Sequence, residues 1–229
     1  MGLAAAHALA AAGCRVALVD LAGERLERAV SEVADGVAFA ADLTSIANIP
    51  ALVGRIESQM SDISILLNNA GVLSNTKSQA TDESEWRRVL SINLDAAFFL
   101  ARAVVPAMKK LKWGRIINTT SLAAKTGGLT AGTAYAVSKG ALSAMTFSLA
   151  RELAADGVTV NGIAPAYVRT PMVTEGLTEA QRQALLATIP VGRFCEPEEF
   201  AHVVRFLASP LAGFITGEII DVNGGLLMD

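Results

Sequence analysis

The sequence predicts an α/β fold built on a doubly wound parallel sheet. Short apolar runs alternate with helical patterns along the chain, and the candidate polar residues each stand just after one of those runs. With 229 residues, 52% of them hydrophobic and 18% charged, residues 1–229 suit one compact domain with a sizeable core.

Leu3 to Ala12 is Ala-rich with high helix propensity, and Gly13 stops it. RVALVD (Arg15 to Asp20) reads as a strand, ERLERAVSEVA (Glu24 to Ala34) as an amphipathic helix, and VAFA (Val37 to Ala40) as the next strand. ISILL (Ile63 to Leu67) is a further strand, and Trp86 to Leu111 forms one or two helices. GRIINTTS (Gly114 to Ser121) is an apolar run ending in hydroxyls, which reads as a buried strand delivering Ser121 to the end of a sheet. Ala134 to Ala155 carries Tyr135, Leu142, Met145 and Leu149 at three- and four-residue steps, a helical period. VTVNGIA (Val158 to Ala164) is then a strand. A variable stretch with TEAQRQALLA (Thr178 to Ala187), a helix over Pro197 to Ala208 and a last strand, GEIIDV (Gly217 to Val222), complete the pattern. In such a sheet the ligand lies at the carboxyl ends of the strands.

Bulk properties exclude several classes. A net charge of −3 offers no basic surface for nucleic acid. Cys14 and Cys195, with no CxxC pattern, argue against a disulfide framework or a zinc site and fit a reducing cytoplasm; no metal is expected. His7 and His202 stand alone within helical patterns and read as structural. MGLAAAHALAAAGC superficially resembles a lipoprotein signal, but no Lys or Arg precedes its apolar run and a strand follows Cys14. No uninterrupted apolar run approaches the roughly 18 residues of a membrane span. Even INLDAAFFLARAVVPAM is broken by Asp95 and Arg102, so no membrane association is expected.

The chemistry centres on SLAAKTGGLTAGTAYAVSK, Ser121 to Lys139. Tyr135 and Lys139 are neighbours on one helix face. A phenol is a poor base at neutral pH, but an ammonium about 5.5 Å away, at an effective dielectric of about 20, favours phenolate by roughly 3 kcal/mol. The bland alternative is a solvated helix edge. What changes the balance is the ordered set around it: ILLNNAG (Ile65 to Gly71), Asn93 in SINL, Ser121, YxxxK, and NGIAPAYVRTP (Asn161 to Pro171). Taken together, and over essentially the whole chain, these motifs resemble the short-chain dehydrogenase/reductase family, whose fold is Rossmann-like.

The resemblance implies roles for particular residues. Tyr135 would exchange the proton, Lys139 would lower its pKa and bind the nicotinamide ribose, and Ser121 would orient the substrate oxygen. Asn93 would hold the water of a proton relay. Asp20, closing its strand, would accept from the adenosine ribose hydroxyls and repel a 2′-phosphate, which favours NAD over NADP; a helix cap is compatible with the same residue. Asp42 and Leu43 resemble an adenine-contacting pair, though Asp42 also reads as a helix cap. Asn69, Ala70 and Gly71 would pack against adenosine, or simply form a strand-end turn. Pro165, Val168 and Thr170 match positions near the nicotinamide amide, with Ala166 where the family usually has Gly; Pro165 and Pro171 also read as bounding a loop. Ser121 and Tyr135 lie 14 positions apart, one more than in many relatives, so the TGGLTAG loop carries an extra residue.

One family feature is missing. The usual opening strand and Gly-rich turn, TGxxxGxG, is represented only by Met1-Gly2. Losing about five buried apolar side chains removes roughly 8–15 kcal/mol, comparable to the ~5–15 kcal/mol stability of a domain. The chain is therefore expected to be a fragment of a longer protein or a fold that repairs the gap.

The expected function is hydride transfer between NAD(H) and a small-molecule secondary alcohol or ketone in the cytoplasm, by a homodimer or homotetramer paired through Trp86 to Leu111 and Ala134 to Ala155. The alternative is a catalytically silent subunit or fragment unable to bind the dinucleotide. Met172 to Pro190, with Glu175, Glu179 and Arg182, names no ligand; sugars or polyols, 3-oxoacyl thioesters and small hydroxy compounds stay open.

Overall fold

The computed structural model describes every residue except 171, 172, 174–177 and 229, so Pro171, Met172 and Glu175 of the sequence reading lie outside the described residues. In order, the elements are α1 (Gly2–Ala11), β1 (Ala17–Asp20), α2 (Glu24–Glu32), β2 (Val37–Ala40), α3 (Ile49–Gln59) and β3 (Ile65–Asn68). Then come α4 (Glu83–Leu90), a π-helical turn (Ser91–Asp95), α5 (Ala96–Leu111), β4 (Gly114–Thr119), the short α6 (Ala123–Thr126) and α7 (Thr133–Leu153). The last are β5 (Val158–Pro165), α8 (Glu179–Leu186), α9 (Pro197–Ala208) and β6 (Ile219–Val222).

All strand pairing is parallel, but it falls into two sheets: β1 with β2, and β3-β4-β5-β6 in that order. Among the described residues no strand stands between β1 and β3. The consequence is visible in burial: β1 and the first three residues of β3 are half-buried or more exposed, whereas every residue of β4 and β5 is buried. Helices span the seam instead. On one face Ala5 and Leu9 of α1, with Phe200 and Val204 of α9, pack against Ile117 and Ile163, and Val16 and Ile65 from the two sides of the seam join them. On the other face α3, α5 and α7 cover Ile116, Val158 and Val160, while Val19 of β1 packs with Phe39 and Leu52. Ile116 and Ile117 thus point to opposite faces, as the pleat of a strand requires.

The sequence did not reveal α3, whose Ile49, Leu52, Val53 and Ile56 form a buried stripe behind Pro50 in the first turn. Proline is tolerated there because that amide has no intrahelical acceptor. Glu83–Leu111, read as a continuous helix, is by length and composition apolar enough to cross a membrane. Its second half is a core helix here: Ala97, Ala101, Val104 and Met108 are buried.

Candidate active site

Two elements deliver the central groups. β4 is buried along its whole length and hands over to Thr120, whose amide donates to Ile163 O at 2.8 Å, and Leu122, whose amide donates to Pro165 O at 3.0 Å. Ser121, between them, is held at the end of the sheet and is 9% exposed. α7 is capped by Gly132 and presents Tyr135 in its first turn and Lys139 one turn on.

The Ser121 hydroxyl stands beside the phenol of Tyr135, near enough to favour its charged form. Its ring packs in a small apolar cluster with Leu73, Ala123, Ala131 and Ala136. Lys139 is 3% exposed; its Nζ lies 5.9 Å from the centroid of the Tyr135 ring and donates to Thr119 O at 2.7 Å. A Cβ on Gly71 would stand 3.2 Å from Asn93 Oδ1 and 3.4 Å from Lys139 Nζ. Gly71, Asn93 and Lys139 therefore meet at one point, and a methyl at Gly71 would press on both side chains.

Asn93 sits in the π-turn, a helix irregularity often found at functional sites. Its Oδ1 accepts from Val72 N at 2.8 Å, and its Nδ2 donates to Val72 O at 3.1 Å and to Ser138 Oγ at 3.0 Å. Both of its amide protons are thus committed to protein partners.

The electrostatics correct one expectation. Burial pushes the Tyr135 phenol above its ordinary value, and the neighbouring Ser121 hydroxyl pulls it partly back. Burial also pushes Lys139 down to about 8. The lysine field that spacing led us to expect does not dominate, because taking both groups out of water penalises each charged form. At neutral pH Tyr135 holds its proton and is set up as a donor.

The other residues lie around this centre at strand ends. Asp20 closes β1, half exposed, with Oδ1 accepting from Leu21 N at 2.8 Å and Oδ2 3.9 Å from Arg25 Nε, a cation five positions further along the chain. Asp42 accepts from both the hydroxyl and the amide of Thr44, in that order the causes that hold its carboxyl below the usual range. Leu43 packs with the cluster of Phe39, Leu52 and Ile56. Asn69, Ala70 and Gly71 follow β3, and Asn69 Oδ1 is buried with no hydrogen-bond partner. Pro165 ends β5, and Ala166, whose amide donates to Val222 O at 3.0 Å, needs no left-handed backbone. Val168 bridges to Cys195, and Thr170 Oγ1 donates to Val168 O at 3.4 Å. Among the described residues no three His, Cys, Asp or Glu side chains cluster as metal ligands would.

The profile of a family described as enoyl-(acyl carrier protein) reductase matches residues 1–227. The 3-oxoacyl-[acyl-carrier-protein] reductase FabG of Escherichia coli is 37% identical over 231 residues, covering 100% of this chain and 93% of that protein. The chain belongs to the short-chain dehydrogenase/reductase family. Two solved structures of this family agree in fold: a 3-oxoacyl-[acyl-carrier protein] reductase from Brucella melitensis (TM-score 0.92, 32% identity, covering 100% of this chain and 87% of that one), and a protein from Agrobacterium tumefaciens described provisionally as a gluconate dehydrogenase (TM-score 0.94, 31% identity, 100% and 92%). The chain is accordingly an oxidoreductase of this family, whose members bind a nicotinamide dinucleotide and are typically homo-oligomers. Relatives align with the whole chain, so the expectation that it is truncated is not carried by them.

Sequence reasoning missed the residues that hold the family's site together. Ser138, fully buried, receives Asn93 and donates to Tyr135 O at 2.7 Å. Asn118 accepts from Asn68 and donates to Thr146 Oγ1, both at 2.9 Å, tying β3, β4 and α7 together. The signal was present: Asn118 interrupts an apolar strand, where an unpaired amide would be costly.

Proposed function

We propose that this chain transfers a hydride reversibly between NAD(H) and a secondary alcohol or ketone, with Tyr135 giving and taking the proton. The observation that carries the reading is the single constellation of a protonated phenol, its Ser121 partner and the Lys139 ammonium at the end of a buried parallel sheet. The residues around it fit the dinucleotide: Asn69 Oδ1 is buried and unpartnered, and the exposed backbone of Gly71 runs beside Lys139 and Asn93. Asp20 would receive the adenosine ribose, Asp42 and Leu43 the adenine, Asn69 to Gly71 the adenosine face, and Pro165, Val168 and Thr170 the nicotinamide end. The dinucleotide supplies or accepts the hydride. Tyr135 protonates the oxygen formed on reduction, Ser121 orients that oxygen and stabilises its developing charge, and Lys139 supplies positive charge beside the ring and reaches the ribose. Asn93 keeps Val72 and Ser138 in register behind them.

Asp20 supports NAD over NADP, since its carboxylate opposes a 2′-phosphate. Arg25, 3.9 Å away with its side chain 92% exposed, is too solvated to outweigh it. The relatives' names make a 3-oxoacyl thioester the first substrate class to try. Two free cysteines suit a cytoplasmic enzyme, and Phe98 on α5 with Val137 and Phe147 on α7, all exposed, suit a dimer or tetramer of a single-domain chain. A silent subunit is the weaker reading, because the proton-transfer group is intact. The deciding experiment offers the purified chain NADH or NADPH with a 3-oxoacyl thioester, simple ketones and sugar-derived ketones, and follows oxidation of the reduced cofactor. No oxidation with any of them overturns the proposal.

A further inference from the structure

We infer that Glu85 is a positioning residue for the Tyr135 proton donor, acting through the segment Val72 to Lys77; this rests on the activity proposed above. A single carboxylate oxygen, Glu85 Oε1, accepts from Ser74 Oγ at 2.7 Å and from Thr76 Oγ1 at 2.9 Å. Glu85 is itself fixed at the start of α4, where its amide donates to the capping Asp82 at 2.7 Å.

The segment so pegged forms a wall of the site. At its start, Val72 is gripped through both amide and carbonyl by Asn93. Next, Leu73 packs into the same cluster of Ala123, Ala131 and Ala136 that the Tyr135 ring packs against. Then Ser74, 4% exposed, accepts through its carbonyl from Gly132 N at 2.7 Å, and Gly132 caps the helix that carries Tyr135 three residues later. A Cβ at Gly132 would lie 2.1 Å from Thr76 O, so the two segments are in direct backbone contact. Finally, Lys77 Nζ donates to Ala131 O at 2.8 Å.

The α7 side of this segment is thus held by the Gly132–Ser74 backbone bond and by Lys77, while the α4 side is held by Glu85. Removing the carboxylate leaves two inward hydroxyls without their acceptor, and such groups move to find another partner or water. Leu73 and Gly132 move with them, and both bear on the phenol. A displacement of about 1 Å at a reacting group costs up to roughly a hundredfold in rate. The adenosine contacts proposed at Asp20 and Asp42 lie at the ends of β1 and β2, and those at Asn69 to Gly71 are separated from the moving part by Val72, which Asn93 holds independently of Glu85. The function is geometric rather than electrostatic, so a neutral acceptor of the same shape suffices: the carbonyl oxygen of glutamine accepts from two hydroxyls as well.

The test compares Glu85→Ala and Glu85→Gln with the parent enzyme. For E85A, kcat is expected to fall about tenfold or more with cofactor Kd within about twofold, and amide exchange at Gly132 to accelerate. For E85Q, both readouts are expected to return to within about twofold of the parent, as an isosteric acceptor requires. The inference is overturned by an E85A that keeps parental kcat or Gly132 protection, or by an E85Q as impaired as E85A. If E85A does not fold, Ser74→Ala and Thr76→Val each remove one arm of the bridge and are expected to show the same loss in part; parental behaviour in both overturns it too. Exchange at Gly132 needs no turnover, so absence of activity in the parent would sink the proposed function and leave this inference to be decided by its own measurement.

Discussion

The Lys139 ammonium donates to the carbonyl oxygen of Thr119 over 2.7 Å, which ties one of its three protons to the strand that ends two residues before Ser121. The cation is anchored by β4 rather than by an acid, and this fixes its place relative to Tyr135 without neutralising it. Several measurable consequences follow from that arrangement and its surroundings.

Tyr135→Phe removes the proton donor while leaving the ring packed against Ala123, Ala131 and Ala136. Turnover is expected to drop by roughly a hundredfold or more, the usual contribution of general acid–base catalysis. Cofactor affinity, read by fluorescence titration, should stay near the parent's. A variant within a few-fold of parental kcat would remove Tyr135 from its role.

Lys139 makes stability depend on pH in a definite sense. Below about pH 8 it is charged in the folded and unfolded chains alike, and the fold carries the whole burial penalty. Between about 8 and its ordinary 10.5 the folded lysine loses its proton first, so stability rises with pH through that window, by about 3 kcal/mol in all. Cys195, raised to about 11 chiefly by burial, and Tyr135 work in the opposite direction, because folded they keep protons the unfolded chain gives up. The difference between parent and Lys139→Met in denaturant titrations isolates the lysine: the variant's advantage at pH 7 should shrink toward pH 10.

Gly71→Ala places a methyl against both Asn93 Oδ1 and Lys139 Nζ, at contact distances that force a shift of a few tenths of an ångström. We expect kcat to fall roughly tenfold, with a smaller change in melting temperature, since the displaced atoms are those of the reacting group. Steady-state kinetics alongside thermal melts separate the two effects.

Asp20→Ala removes the carboxylate that opposes a 2′-phosphate and frees Arg25. The ratio of kcat/KM for NADP over that for NAD should rise about tenfold or more, as relief of like-charge contact implies. An unchanged ratio would show that Asp20 does not select the cofactor.

Much of this was legible in the chain. VAFA and PEEFAHVVRFLA were bounded to the residue, because a short apolar run and a proline-led amphipathic helix are local signals. Tyr135, Lys139, Ser121 and Asn93 converge because each stands at a fixed place on a strand end or helix face. Burial was not legible: two polar residues one turn apart look the same on a wet helix as on a dry one, and the sign of the Tyr135 shift turned on that difference. Nor was the π-turn, since one extra residue per turn leaves no mark in SINLD. The pairing of Asn68, Asn118 and Thr146 spans 50 and 28 positions, beyond any periodicity.

The seam between β1 and β3 bears on how the molecule melts. With no ladder of amide bonds across it, the β1–β2 portion is coupled to the rest mainly through side-chain packing around the covering helices and a hydrogen bond from Arg15 to Met60 O at 3.0 Å. Such a portion can open by itself at a lower free energy than global unfolding. Heating should therefore release it first, giving a calorimetric enthalpy larger than the van't Hoff value and early exchange at Leu18 and Val19, while the amides of β4 and β5 hold to the end.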